Sequence, residues 1–321
     1  MTNLNWAILG PGAIASDFAK ALLEEHGTIY AVGSRTYEKA KMFAMEHGVE
    51  HVFGGYEAML CDENIDAVYI ATPHSNHYEY IRKSLEEGKH VLCEKAITVN
   101  GKQLQELINL AYEKNCVLME AMTIYHMPLY AKLLDKVQSG KLGQLKTINV
   151  TFGSRKEDDP ENRFFNKELA GGAILDIGTY ALSFVRFFLS SQPTEVLTTV
   201  KPFLTGVDEQ SGILLKNKVE EIATITLSMR AKMPKRGIVA CENAFITVDD
   251  FPRAKKAMIT YYDGRTETVE AGASDKALNY EIQTMEKAIL FDSKTHMNLS
   301  KDVMTLMDDV RNQWGIKYPF E

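Results

Sequence analysis

The stretch Trp6-Ala-Ile-Leu-Gly-Pro-Gly-Ala-Ile-Ala15 decides how the first part of the chain folds. It sets Gly10, Gly12 and Ala15 at the spacing G-x-G-x-x-A, where the first glycine permits a tight turn and the second lets backbone approach a pyrophosphate. The small third residue lets the following helix pack on the strand. An apolar strand candidate, Trp6–Leu9, precedes the turn and an amphipathic segment, Ser16–Glu25, follows it, which is the context that the fingerprint requires. Gly10, Gly12, Ala13 and Ile14 are therefore candidate contacts to a dinucleotide.

Outward from this turn, short apolar runs recur at Ile29–Val32, His51–Phe53, Ala67–Ala71, His90–Cys93 and Cys116–Glu120, separated by helix-like stretches. Thr36 is placed to cap a helix over Tyr37–His47 and Gly48 to end it, and Gly88 stops Tyr78–Glu87 in the same way. Such alternation builds a doubly wound parallel sheet, the Rossmann arrangement. After Pro128 the texture changes. A helix is expected to Ser139, a strand over Gln144–Phe152, a helix over 173–189, and alternating segments at Glu221–Met229, Ile238–Val248 and Ala257–Tyr262. Leu278–Asp292 and Lys301–Trp314 return to helical spacing, and a terminal helix of this kind commonly docks against a neighbouring domain. The expected fold class is α/β: a dinucleotide-binding Rossmann domain over 1–121, and an α+β domain over 122–321 with a large, mostly antiparallel sheet that binds substrate and dimerises.

The chain has 321 residues, 45% of them hydrophobic, enough for two cores. Lys and Arg number 36 against 43 Asp and Glu, a net charge of −7 that repels phosphate backbones and anionic lipid, so neither nucleic acid nor a membrane is an expected partner. The four cysteines lie far apart without CxxC spacing and read as reduced thiols. No apolar run approaches the ~20 residues of a spanning helix, and no signal-peptide pattern precedes the first strand. A cytoplasmic protein acting on a small molecule is expected.

About twenty residues past the glycine turn, an NAD enzyme presents a carboxylate to the ribose 2′-hydroxyl. Here the second strand ends Gly33-Ser34-Arg35 instead. A guanidinium and a neighbouring hydroxyl suit a 2′-phosphate that a carboxylate would repel, which favours NADP and leaves NAD open.

Lys95 follows the fifth apolar run, at the carboxyl edge of a parallel sheet where ligands of open α/β folds bind. Asp176 and Tyr180 are four residues apart in a helical pattern, so they share a face. A free phenol titrates near ~10, and an adjacent ammonium lowers that value, a charge that Lys95 can supply. His74 and His77 lack further ligands at metal spacing and are assigned with Thr72, Asn76 and Glu94 to the cofactor loops; no metal is expected. Tyr125, Arg163 and Phe164 are substrate-side candidates, with a loop anchored by Phe164 and Phe165 as the alternative.

Three segments, Ala71-Thr-Pro-His-Ser-Asn-His77, Cys93-Glu-Lys-Ala96 and Gly171-Gly-Ala-Ile-Leu-Asp-Ile-Gly-Thr-Tyr180, resemble in order and spacing the glucose-fructose oxidoreductase/inositol dehydrogenase/rhizopine catabolism family (Gfo/Idh/MocA). The resemblance covers nearly the whole chain. Within the family it is similar to the dimeric dihydrodiol dehydrogenase and NADP-dependent D-xylose dehydrogenase branch, where tyrosine replaces a more usual histidine. It implies a catalytic Lys95, a substrate-positioning Asp176, a proton-transferring Tyr180, a loop of Thr72, His74, Asn76 and His77 near the nicotinamide ribose, and a homodimer. Ala96 stands where the family motif has proline, which leaves the local backbone path open. The leading expectation is reversible hydride transfer between NADP(H) and a secondary alcohol or carbonyl of a sugar, cyclic polyol or dihydrodiol. The alternatives are nicotinamide-dependent elimination or glycoside cleavage without net redox change, and a non-catalytic nucleotide sensor. A sensor has no need of Lys95, Asp176 and Tyr180 together.

Overall fold

The computed structural model describes residues 4–321. It separates into two compact units, one built from the stretches through Thr98, Lys102–Met122 and Leu278–Met297, and the other from Val99–Gly101, Thr123–Ala277 and Asn298–Glu321.

The first unit runs β1 (Asn5–Leu9), α1 (Ala13–Glu24), β2 (Thr28–Gly33), α2 (Tyr37–His47), β3 (His51–Phe53), α3 (Tyr56–Leu60), β4 (Ala67–Ile70), α4 (His77–Glu86), β5 (His90–Glu94), α5 (Gly101–Glu113) and β6 (Leu118–Ala121). The strands form one sheet ordered β3-β2-β1-β4-β5-β6, with every pairing parallel. Trp6–Leu9 and all of β4 are buried, as strands covered by helices on both faces must be. α4 buries His77, Tyr80, Ile81, Ser84 and Leu85, one stripe at helical spacing. Gly48 ends α2 in the left-handed region, as its position predicts. Thr36 does precede α2, but its side chain makes no capping bond; its own amide instead donates to Ser34 Oγ at 3.2 Å.

The second unit adds α6 (Pro128–Gln138), β7 (Leu145–Gly153), a π-helical turn over Ile174–Gly178, α7 (Thr179–Phe188), β8 (Pro193–Pro202), β9 (Asp208–Asn217), β10 (Ile222–Ser228), β11 (Met233–Cys241), β12 (Ala244–Asp249), β13 (Lys256–Tyr261) and β14 (Thr266–Glu270). The sheet order is β14-β13-β12-β11-β7-β10-β9-β8, antiparallel except where β10 pairs parallel to β7. The segment 238–248, which alternation alone presents as one strand, is a hairpin. Its turn falls at Glu242 and Asn243, between β11 and β12, and Asn is a good turn residue. α7 packs against this sheet so closely that a Cβ on Gly237 of β11 would meet the Phe184 ring at 2.3 Å. Among the described residues one segment, Lys167–Phe188, is long and apolar enough to cross a membrane, and 78% of its window is buried inside the protein.

Two helices close the chain, α8 (Ala277–Phe291) and α9 (Met297–Trp314). Sequence position puts α8 with the second domain, yet Leu278–Met297 belongs by its contacts to the first unit. Leu278, Ile282 and Met285 join the core of Trp6, Phe18, Leu22 and Tyr69, and the Asn279 and Gln283 amides donate to the Glu25 carboxylate at 2.9 Å. Ile282 is fully buried, so Ile282→Ala is expected to lower the unfolding free energy by about 2–5 kcal/mol, the usual cost of such a deletion. Thermal and urea unfolding monitored by circular dichroism checks this; an unchanged midpoint would remove α8 from the core.

Candidate active site

The parallel sheet reverses its winding between β1 and β4, and the loops after these two strands diverge there to leave a crevice. Gly10 ends β1 with φ +96°, and a Cβ there would stand 3.0 Å from the Ala71 carbonyl oxygen and 3.1 Å from Thr72 Cγ2. Nothing lies within 4 Å of where a Cβ on Gly12 would stand, so the backbone at the start of α1 faces open space. The Thr72 hydroxyl is buried without a hydrogen-bond partner. An open glycine cradle at a helix N-terminus and an orphaned hydroxyl beside it fit a dinucleotide pyrophosphate and ribose.

A cleft of about 180 Å³ joins this cradle to Ser34, Arg35, Asn76 and three residues that sequence reading missed, Lys39, Tyr56 and Tyr80. Arg35 and Lys39 are exposed at the start of α2. Lys39 lies four residues beyond Arg35, and that one-turn spacing is the signal from which it was readable. Tyr56 and Tyr80 meet edge to face at 4.7 Å. Burial raises the Tyr56 phenol, while Arg35 beside it pulls the other way.

Lys95 is half-buried at the end of β5, and the Lys95–Ala96 peptide is cis. His74 Nε2 lies 3.1 Å from the Lys95 carbonyl oxygen. His77 was expected among the cofactor contacts, but it has no exposed surface. Its Nδ1 lies 2.9 Å from the Ala96 carbonyl oxygen and its Nε2 2.8 Å from that of Thr72, so the ring is a strut between the two loops. Burial lowers its pKa, favouring the neutral ring, which donates from one nitrogen only. Glu94 accepts the Tyr69 hydroxyl at 2.5 Å; burial first, and then Glu94, hold that phenol protonated.

In the second unit, Asp176 lies within the π-helical turn and Tyr180 in the first turn of α7. From Gly171 through Val185 these two alone keep partial exposure, with every other residue buried. π-turns inserted ahead of α-helices occur frequently at functional sites. The Tyr180 ring lies 6.3 Å from that of Phe152, over which Lys235 Nζ stands at 5.3 Å. Of the substrate-side candidates, Arg163 is exposed and Phe164 half-buried, with the Arg163 guanidinium 4.3 Å and Lys156 Nζ 3.9 Å from the Phe164 ring. Phe165, not Phe164, is the anchor, stacked on Phe203 at 4.0 Å. Tyr125 departs from its expected role: it is buried, and its hydroxyl donates to Ser183 Oγ at 2.9 Å, which ties it to α7.

The comparisons with known proteins agree with this architecture. The chain is 32% identical to trans-1,2-dihydrobenzene-1,2-diol dehydrogenase of Xenopus laevis, over 98% of this chain and 99% of that one. It is 29% identical to scyllo-inositol 2-dehydrogenase (NADP(+)) IolU of Bacillus subtilis (strain 168), covering 98% of each. Among solved structures, the 3-ketoreductase KijD10 of Actinomadura kijaniata, in complex with NADP and TDP-benzene, superposes with a TM-score of 0.88 at 25% identity, covering 97% of this chain and 98% of that one. The model of the oxidoreductase family with an NAD-binding Rossmann fold matches residues 4–122, and that of the GFO/IDH/MocA C-terminal domain matches 130–247. With the glycine cradle on one unit and the sheet-backed Asp176–Tyr180 segment on the other, the chain belongs to the Gfo/Idh/MocA oxidoreductase family.

Proposed function

We propose that this protein is an NADP-dependent dehydrogenase that interconverts a secondary alcohol and its carbonyl on a sugar, cyclic polyol or dihydrodiol. The observation that carries the reading is the Asp176–Tyr180 pair, half-exposed on an otherwise buried segment in a chain of this family. The relatives' substrates, a dihydrodiol and an inositol, define the substrate class. Bound nicotinamide supplies the hydride acceptor for oxidation and the donor for reduction. Tyr180 takes the substrate hydroxyl proton at its phenolic oxygen, Asp176 orients that hydroxyl, and Lys95 is the third catalytic residue. Gly10, Gly12, Ala13 and Ile14 hold the pyrophosphate, Thr72, His74 and Asn76 the nicotinamide ribose, and Ser34, Arg35 and Lys39 the 2′-phosphate. Arg163 and Phe164 contribute to substrate binding. The four free cysteines support a cytoplasmic setting. A screen of the purified protein with NADP and NADPH against sugars, polyols, dihydrodiols and dicarbonyls, followed by nicotinamide absorbance, tests the class; no turnover of any of them would overturn it.

Cofactor choice follows from charge. Removing one charge-assisted contact to phosphate costs about 1.5–3 kcal/mol, so Arg35→Ala is expected to weaken NADP binding roughly 10- to 150-fold and to leave NAD nearly unchanged. Lys39→Ala is expected to act in the same direction. Titration calorimetry with both cofactors measures this, and equal affinities in the wild type would contradict the assignment.

Tyr180→Phe keeps the ring packed beside Phe152 and removes the exchangeable proton. General acid–base transfer contributes about 10²–10⁴-fold, so kcat is expected to fall by that order while cofactor binding survives. Alcohol oxidation by the wild type is expected to rise with pH as the proton-accepting group loses its proton, and the variant to lose that limb. A near-normal kcat with an unchanged profile would make Tyr180 a packing residue.

A homodimer through the open face of the eight-stranded sheet completes the reading. Strand register puts Leu197, Leu214, Ile222, Phe245 and Met258 on one face, each between 40% and 63% exposed. An apolar face of this kind calls for a partner surface. Light scattering is expected to report twice the chain mass, with Leu214→Glu shifting the protein toward monomer; a monomeric wild type at micromolar concentration would refute the assembly.

A further inference from the structure

Asp208 opens β9 and has no exposed surface. Its Oδ2 accepts the backbone amide of Ile174, the first residue of the π-helical turn, at 2.7 Å. Its Oδ1 is buried without a hydrogen-bond partner and fills the space beside Gly172, whose own Cβ would stand 2.3 Å from that oxygen. Gly172 has φ +121°, so both its conformation and its neighbour demand glycine there. One residue earlier, the Tyr318 hydroxyl donates to the Gly171 carbonyl at 2.8 Å. The start of the segment that carries Asp176 and Tyr180 is thus gripped from two sides by buried polar groups.

We propose that the Asp208 carboxylate is a positioning residue for the reaction: it anchors the amino end of the Ile174–Tyr180 segment and so fixes the backbone from which Asp176 and Tyr180 project. The inference rests on the roles proposed above for that pair. A negative charge at the amino end of a helical segment is stabilised by its free amides, and a bond to a charged acceptor is about twice as strong as a neutral one. Burial is the largest influence on the carboxyl group and pushes it up to about 7; the amides of Ile174 and Ala173 and the Arg311 guanidinium pull against it. The other charged and titratable groups of this cluster are Tyr318, Asp308 and Glu321, the last two bonded to Arg311 at 3.1 and 2.8 Å. Asp208 therefore changes charge near neutral pH, and the grip on Ile174 strengthens as pH rises through that range. The effect on stability has the opposite sign. A buried acid whose folded value lies above its ordinary 3.8 adds stability while protonated, and this is lost as pH rises from there to about 7.

Hydrogen exchange on the full-length protein, read by mass spectrometry over peptides spanning 171–180 and corrected for intrinsic rates, tests the anchor without any substrate. Between pH 5.5 and 8.5, protection at Ile174 in the wild type, for local openings that leave Asp208 buried, is expected to rise by roughly threefold to tenfold, what a charge-assisted bond adds over a neutral one. Asp208→Asn, which keeps an oxygen acceptor but no charge, is expected to show no such rise. It is also expected to lower kcat about tenfold with the substrate found by the screen, at an unchanged KM for NADP, and to gain stability relative to wild type as pH rises from 5.5 to 8.5. Flat protection in the wild type overturns the proposal even if the variant fails to fold, and so does a variant with full kcat. A Tyr180→Phe enzyme with full kcat sinks the assigned roles instead, and leaves the exchange result to stand or fall alone.

Discussion

The absence of a side chain at Gly10 is the constraint on which the first unit depends. With φ +96° and the Ala71 carbonyl 3.0 Å from where a Cβ would sit, the chain after β1 turns directly beneath the loop after β4. That close approach lets β1 and β4 be neighbours in register from Trp6↔Ala67 to Leu9↔Ile70 while their crossovers leave in opposite directions. The crevice is the consequence of that divergence, and its floor is backbone because any alanine at Gly10 would close it. The open space over Gly12 and the orphaned Thr72 hydroxyl follow from the same turn.

Much of this unit was legible because parallel strands are buried on both faces and therefore appear as continuous apolar runs between helical stretches. The second unit was harder. In an antiparallel hairpin the alternation can pass through the turn, so 238–248 read as one strand and the reversal at Glu242–Asn243 was hidden. Docking of a closing helix on a neighbouring domain was to be expected, but not which residues α8 meets: an amphipathic helix declares that it has a face to bury, and nothing in its periodicity names the partner. Ile282 sits in a core with Trp6 and Phe18, more than two hundred residues away in sequence.

For the site, spacing carried as far as backbone geometry could. Asp176 and Tyr180, four residues apart, are the two residues of 171–185 that keep partial exposure. Arg35, named from the missing carboxylate at a strand end, lines the cleft beside the glycine turn, and so does Lys39 one turn later. Tyr125 and His77 show the limit. An aromatic beside a strand end gives the same sequence signal whether its hydroxyl meets a substrate or Ser183, and a histidine in that loop looks alike whether it faces the crevice or lies between the backbone carbonyls behind it.

Both units place fully buried polar groups next to segments that carry half-exposed titratable ones, and the reason is directional. Apolar packing holds a segment in place but tolerates small rotations, whereas a hydrogen bond in a dry interior fixes the aim of the backbone it grips, at a cost in desolvation. His77 does this for the loop that carries Lys95, and Asp208 and Tyr318 do it for the segment that carries Asp176 and Tyr180. The restraints differ in kind. Burial pushes the imidazole toward its neutral form, while it raises the carboxyl to about 7. The grip on the segment that carries Asp176 and Tyr180 therefore varies with pH near neutrality.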